Sequence, residues 1–226
     1  MTIINLDTIT LAKGAHDDFE SGSCLLEATA YLANEPFSDH PACVSHVLGA
    51  YGRSLNDVLP DDRRQELKQY IPGLIGTAND GKDGARSYIA LDWLIRTYAP
   101  AFLDLAGLTG EAQELRSLRR IVDPVAAKEA VPVVREAGQK ASAAGDAAWE
   151  SAGDAAWAAA RDAAANAARD AAWAAARAAA RDAAWESAGD AAWAAARDAL
   201  NPTVDTLQTS AIALLGVMID PSGVGR

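Results

Sequence analysis

From Asp146 to Asn201 the chain is an almost unbroken train of four-residue units: DAAW, ESAG, DAAW, AAAR, DAAA, NAAR, DAAW, AAAR, AAAR, DAAW, ESAG, DAAW, AAAR and DALN. The second and third places are nearly always Ala, and five of the six Trp lie here. Ala is the strongest helix former, and a Gly costs only about 1 kcal/mol against it. From Pro132 to Leu200, only Gly138, Gly145, Gly153 and Gly189 oppose continuous helix. Pro132 suits the first turn of such a helix, and Asn201-Pro202 is expected to stop it. At roughly 1.5 Å per residue, the uninterrupted helix is a rod on the order of 100 Å long.

Four residues advance about 400° around an α-helix, so each tetrad position drifts about 40° per repeat and every stripe winds right-handedly. That drift does not suit a left-handed heptad coiled coil. Steep crossings against several neighbours suit it better, because Ala lets backbones approach closely. Large aromatic surface is costly to leave in water, so the Trp predict contact. Trp157/Arg161, Trp173/Arg177 and Trp193/Arg197 are each four apart, a spacing that permits guanidinium to stack on indole.

A longer repeat lies over the short one. Asp146–Ala164 reappears at Asp182–Leu200 with a single change, Ala164 against Leu200, at an offset of 36 residues. Thirty-six residues are about ten helical turns, which sets the same face about 54 Å further on. Trp149 then aligns with Trp185, and Trp157 with Trp193. The pattern reads either as two equivalent docking sites or as the trace of a duplication in an Ala-coding tract. The residues expected to make contact are Trp149, Trp157, Trp173, Trp185 and Trp193, with Arg161, Arg177 and Arg197 beside them.

The segment before the tract reads as a helical domain. Thr2–Leu11, rich in Ile and Thr with rough alternation, reads as a short strand or an extended arm, and a lone strand has no sheet to join. Ser23 can cap a helix to about Asn34 with Cys24, Leu25, Ala28, Tyr31 and Leu32 on its apolar face. Val44, Val47, Leu48, Tyr51 and Leu55 recur at steps of three and four, the clearest amphipathic helix in the chain. Pro60, Asp61 and Asp62 open a third helix that Pro72 and Gly73 end. Thr77–Gly84 is a polar loop, and Ser87–Tyr98 is apolar nearly all round, which places it in a core. Pro100 interrupts it, Gly110–Leu118 closes the domain, and Asp123-Pro124 marks its boundary. Val204, Leu207, Ala211, Leu214, Leu215 and Met218 form a last amphipathic helix. The expected fold is therefore all-α: a helical bundle over 1–123, an Ala-rich rod over 124–201, and a short helix and tail over 202–226.

Charge narrows the function classes. The net charge is −11, and the acidic excess is shared: 20 acidic against 14 basic residues before Asp146, and 11 against 6 from there on. Such a balance argues against sequence-independent nucleic-acid binding, which needs a basic footprint. Two Cys are too few for a disulfide framework. MTIINLDTIT lacks the basic and apolar regions of a signal peptide, and the apolar patch Ala211–Met218 is shorter than the roughly 20 residues that span a bilayer. These features predict a cytoplasmic protein without a membrane partner.

All three His and both Cys gather in 31 residues: His16, Cys24, His40, Cys43 and His46. His40-x-x-Cys43-x-x-His46 could contribute ligands to zinc, with His16, Cys24 or Asp39 completing four. The spacing is not that of a finger or ribbon, and steps of three turn successive side chains by about 300°. Ordinary loop and helix-surface His are the preferred reading. Gly22-Ser23-Cys24 matches three residues around a papain-type nucleophile, but Cys24 falls on the apolar face and reads as a core thiol. Asp17, Asp18, Glu20 and Glu27 could pair as acid and base, or form a solvated face. No phosphate-binding Gly loop, dinucleotide fingerprint or Ser-His-Asp order is present.

With TLAKGAHDDFESGSCLLEATAYLANEPFSDHPACVSHVLGAYGRSLND (Thr10–Asp57) and the Ala/Trp/Arg-rich tract, the chain resembles an uncharacterised group of bacterial and phage hypothetical proteins. The resemblance covers most of the chain and implies no activity or site residue. The leading expectation is a non-enzymatic interaction protein whose rod mediates self-association or docks a protein partner. The alternative is an enzyme or a metal or small-ligand binder with its site around His16, Cys24, Glu27, Asp39, His40 and Cys43. A third reading, a phage-encoded inhibitor of a host protein, follows from the phage occurrence of the group.

Overall fold

The computed structural model describes residues 6, 9–143 and 190–223, and these form an all-α protein. Its helices are α1 (Leu25–Leu32), α2 (His46–Val58), α3 (Asp61–Arg64), α4 (Ile71–Leu74), α5 (Asp83–Trp93), α6 (Ala99–Leu105), α7 (Thr109–Ser117), α8 (Pro124–Ala143) and α9 (Asp190–Ile219). The expected rod lies outside the described residues from 144 to 189, and Trp149, Trp157, Arg161, Trp173, Arg177 and Trp185 lie there with it. Trp193 and Arg197 fall within α9.

The described chain divides into two compact units, one of 1–86 with 208–226 and the other of 87–207. The division passes through α5 and α9, not between Asp123 and Pro124 where the sequence suggested a boundary. Asp123 instead caps α8 inside the second unit, its Oδ1 accepting the Ala126 N–H at 2.7 Å. Local punctuation marks where a helix begins; burial decides which core it joins.

In the first unit α1 is the central helix, with Leu25 to Ala30 all buried. Its N-cap is Cys24 rather than Ser23, because the carboxylate that completes the cap, Glu27, stands three residues after Cys24. Ser23 is buried, and its carbonyl accepts the Ala12 N–H at 2.8 Å. Asn34 ends the helix at φ +58°, and the Glu35 N–H returns to the Ala30 carbonyl at 3.0 Å. Tyr31, expected on the apolar face, is 45 % exposed and stacks on Phe19 at 4.4 Å. The amphipathic α2 forms as its spacing predicts and buries Leu48, Tyr51 and Leu55.

The described end of the expected arm is held by side chains. Leu11 donates its N–H to Gln65 Oε1 and accepts from Gln65 Nε2, both at 2.9 Å, so one amide stands in for a neighbouring strand. Asn56, fully buried, accepts the Leu25 N–H at 3.1 Å and donates to the Ala12 carbonyl at 2.9 Å. The third expected helix is a relay of α3, a 3-10 turn over Gln65–Tyr70, and α4, with Pro72 inside the first turn of α4. The end of α9 returns to this unit, burying Ala211, Ile212, Leu214, Leu215 and Met218, while Tyr51 Oη donates to the Ala211 carbonyl at 2.9 Å. Leu200–Ile219 is long and apolar enough to cross a membrane, longer than the patch seen in the sequence; its buried residues show it also serving as a core helix.

In the second unit Leu91, Leu94, Ile95 and Tyr98 share a core with Leu115, Ile121 and the Ala126, Ala130, Val134, Ala137 and Ala141 face of α8. A π-helical turn, Leu94–Tyr98, joins α5 to α6. It stands just before Pro100, and a widened turn relieves the clash of a proline ring with the preceding turn, so the helix path continues where an interruption was expected. Two further prolines depart from expectation: Pro132 lies inside α8 and Pro202 inside α9.

Candidate functional site

The candidate site is a cleft in the first unit, about 420 Å³ in volume, built where α2 and α5 begin. The polar loop between α4 and α5 is laid against α2 by two hydrogen bonds. The Ala78 N–H donates to the Cys43 carbonyl at 3.0 Å, and the Ser45 N–H donates to Thr77 Oγ1 at 3.0 Å. Asn79 and Gly81 adopt positive φ values of 59° and 76°, which turn the loop back on itself. One wall is then His40, Ser45, His46 and Arg53, and the other is Asn79, Gly81, Asp83 and Gly84.

The floor is Gly49. A Cβ built there would meet only Arg53 Nη1, at 3.4 Å, so its side-chain position opens into the cleft. A second helical glycine, Gly52, has a different reason: its Cβ would press on Leu26 and Leu25 at 3.0 and 3.2 Å, where α1 packs. Each glycine costs the helix roughly 1 kcal/mol relative to Ala. One cost secures helix packing, and the other leaves space and room for the Arg53 guanidinium.

The charged groups are arranged by hydrogen bonds. Ser45 caps α2, accepting the Leu48 N–H at 3.2 Å, and its hydroxyl donates to Asp83 Oδ1. The same oxygen accepts Arg86 Nη1 at 3.0 Å. Arg86 is 0 % exposed and also donates to both oxygens of Asp80, at 2.7 and 2.6 Å. Its hydrogen bonds hold the Asp80 carboxyl below the usual carboxylate range. Arg53 Nη1 donates to the Asp39 carbonyl at 2.8 Å, and Asp39 Oδ1 pairs with His40 Nδ1 at 2.6 Å.

The residues expected around the His/Cys loop divide into separate places. His16 and Glu27 meet away from the cleft: Glu27, 1 % exposed, takes the His16 N–H at 2.7 Å and His16 Nδ1 at 2.8 Å, and its Oε2 also takes the Cys24 N–H at 2.8 Å. Gly22, at φ +132°, makes room for that ring, since a Cβ would lie 2.6 Å from His16 Cδ2. This constellation fastens a loop to the start of α1. Burial pushes the Cys24 thiol up to about 12, which removes it as a nucleophile near neutral pH. Burial, and then Glu35, also raise the Cys43 thiol.

His16, Cys24, His40 and Cys43 therefore do not form the zinc set considered from the sequence. Among the described residues no three His, Cys, Asp or Glu side chains are grouped to hold a metal ion. His16 is engaged by Glu27, Cys24 is enclosed in the core and His40 is turned to Asp39. His40 and His46 line the cleft, while Gly49, Arg53 and Asp83, with Arg86 behind Asp83, are residues that the spacing of His and Cys does not reveal. The available signals were a glycine in the middle of a strongly amphipathic helix and the turn pair Asn79-Asp80. No protein-family model, curated protein or solved structure matches this chain.

Proposed function

We propose that the first unit is a small-ligand-binding unit, with the cleft between α2 and the 78–84 loop as its site. The observation that carries the reading is the glycine floor: a helix gives up stability at Gly49, and what it gains is open space walled by polar groups. A volume of about 420 Å³ falls within the range of ligand pockets, about 300 to 1,000 Å³. The test is an amide-resolved NMR titration of the full chain with a mixture of anionic, cationic and neutral polar fragments. Saturable shifts clustered at His46, Gly49, Gly81 and Gly84, and lost in Gly49→Leu, are the expected result. Gly49→Leu removes a helical glycine, so its fold should hold while its side chain fills the cleft. Shifts scattered over the surface, or unchanged in that variant, would dismiss the cleft.

A second reading concerns the Ala-rich tract, which we propose mediates self-association or docks a protein partner. The 36-residue repeat supports it, because it sets Trp149 and Trp185 in equivalent sequence surroundings. Light scattering on the intact chain and on a Trp149→Ala, Trp185→Ala double variant tests it. A multiple mass that falls in the variant is expected; a monomer in both would end the self-association form of this reading.

A further inference from the structure

We infer that the ligand of this cleft carries a tetrahedral oxyanion, of the phosphate-monoester class. The inference rests on the cleft being a binding site, and it follows from which charges there are already paired. Asp83 is the acidic residue among those lining the cleft, and its Oδ1 is held by Ser45 Oγ and Arg86 Nη1. The neighbouring Asp80 is bonded to Arg86, and Asp39 to His40. The acidic groups thus have hydrogen-bond partners supplied by the protein: Ser45 and Arg86 for Asp83, Arg86 for Asp80, and His40 for Asp39.

The basic groups on the cleft wall are less fully engaged. Arg53 has five N–H donors, and its hydrogen bond within the protein is the one from Nη1 to a neutral carbonyl, that of Asp39. His46 is exposed at the first position of α2 and lines the cleft, with no hydrogen bond or ion pair among the described residues. His40, its Nδ1 on Asp39, also lines the cleft. A guanidinium fork beside imidazoles matches the several acceptor oxygens of a phosphate. Residues at the starts of α2 and α5 also line the cleft, which brings the positive end of each helix dipole to it.

A cationic ligand would meet Arg53 and His46 without a free carboxylate to offset them. A neutral one would leave most of the Arg53 donors unmatched. The cleft is also far larger than a bare phosphate ion needs, so the oxyanion is one end of a larger molecule whose remainder lies toward the Asn79–Gly84 wall.

The test uses the full chain and inorganic phosphate, titrated by amide NMR against sodium chloride at matched ionic strength. Phosphate should shift the His46, Gly49 and Gly84 amides saturably. Arg53→Gln and His46→Gln should each weaken binding roughly tenfold or more, as expected when a charged hydrogen bond is lost. Gly49→Leu should abolish it, which keeps the inference testable if a charge variant misfolds. Phosphate shifts no larger than those of chloride, or indifferent to all three variants, would overturn it. If cationic or neutral fragments perturb the same amides and phosphate does not, the oxyanion is wrong and the cleft remains a site. If no probe perturbs them, both readings fall.

Discussion

The buried Arg86 donates through Nε to the carbonyl oxygen of Met218 at 3.0 Å, joining the start of α5 to the last turn of α9 across 132 residues of chain. The same guanidinium reaches Asp80 and Asp83, so the C-terminal turn and one wall of the cleft share a single positive charge. Tyr51 and Arg63 also reach α9, at Ala211 and Thr209, but Arg86 is the fully buried cation that reaches both its last turn and the loop. Arg86→Leu should therefore destabilise the first unit by about 2 to 4 kcal/mol, below the cost for a fully enclosed ion pair because the carboxylates retain some solvent. Urea unfolding measures the loss, and hydrogen exchange at residues 211–218 should accelerate with it. A midpoint within error of the parent protein would remove Arg86 as the joint.

Acid should act on the same joint through Asp80. Its folded-state pKa is depressed, first by the hydrogen bonds from Arg86, so its stabilisation is present above the unfolded carboxylate value of about 3.9 and fades as pH falls through the folded value. Asp80→Asn keeps the shape and removes the titration. The variant should be less stable than the parent at pH 7 and lose less on acidification from about pH 5 to pH 2. Parallel stability curves over that interval would show that Asp80 contributes nothing to the acid response.

How much of this was legible beforehand depended on the range of the interaction. The one-sided spacing of Leu48, Tyr51 and Leu55 identified α2, which starts at His46, past Val44 at the head of the expected stripe, because burying one helix face needs no knowledge of the partner. Asn34, at positive φ just past the end of α1, lies where the helix was expected to stop, about two residues beyond Leu32. Cys24 displaced Ser23 as the cap through a reciprocal bond to Glu27, a pattern present in the sequence but read one residue early. Pro202 and Pro132 misled because a local penalty was set against burial of a long helix face. The cleft was hardest to see. His40 was visible as chemistry, but its opposite wall is delivered by the Ala78-to-Cys43 and Ser45-to-Thr77 bonds, which spacing does not encode.

The two thiols should separate cleanly in the native protein. Cys24 is buried and its thiol is pushed up to about 12, whereas Cys43, although also raised, is only partly covered. At pH 8 the Cys24 thiolate fraction is about one in ten thousand, before access is considered. A disulfide reagent such as dithionitrobenzoate should therefore titrate one thiol quickly, and Cys43→Ser should remove that phase. In urea the second thiol should appear. Two fast thiols in the folded protein would contradict the enclosed start of α1.

Pro132 offers a test of the second unit in the stabilising direction. It lies inside α8, where proline lacks an N–H to give the preceding turn and its ring crowds the carbonyl four residues back, at a typical cost of about 3 kcal/mol. The side of α8 formed by Ala126, Ala130, Val134, Ala137 and Ala141 is buried in the core, and that burial holds the helix through the defect. Replacing Pro132 with Ala should recover part of the cost, offset by the greater freedom of the unfolded chain, for a net gain of about 1 to 2 kcal/mol. Thermal unfolding followed by circular dichroism should show the second unit melting several degrees higher, with no change in the first unit. A lower melting temperature would mean that the ring itself fills space the second unit needs.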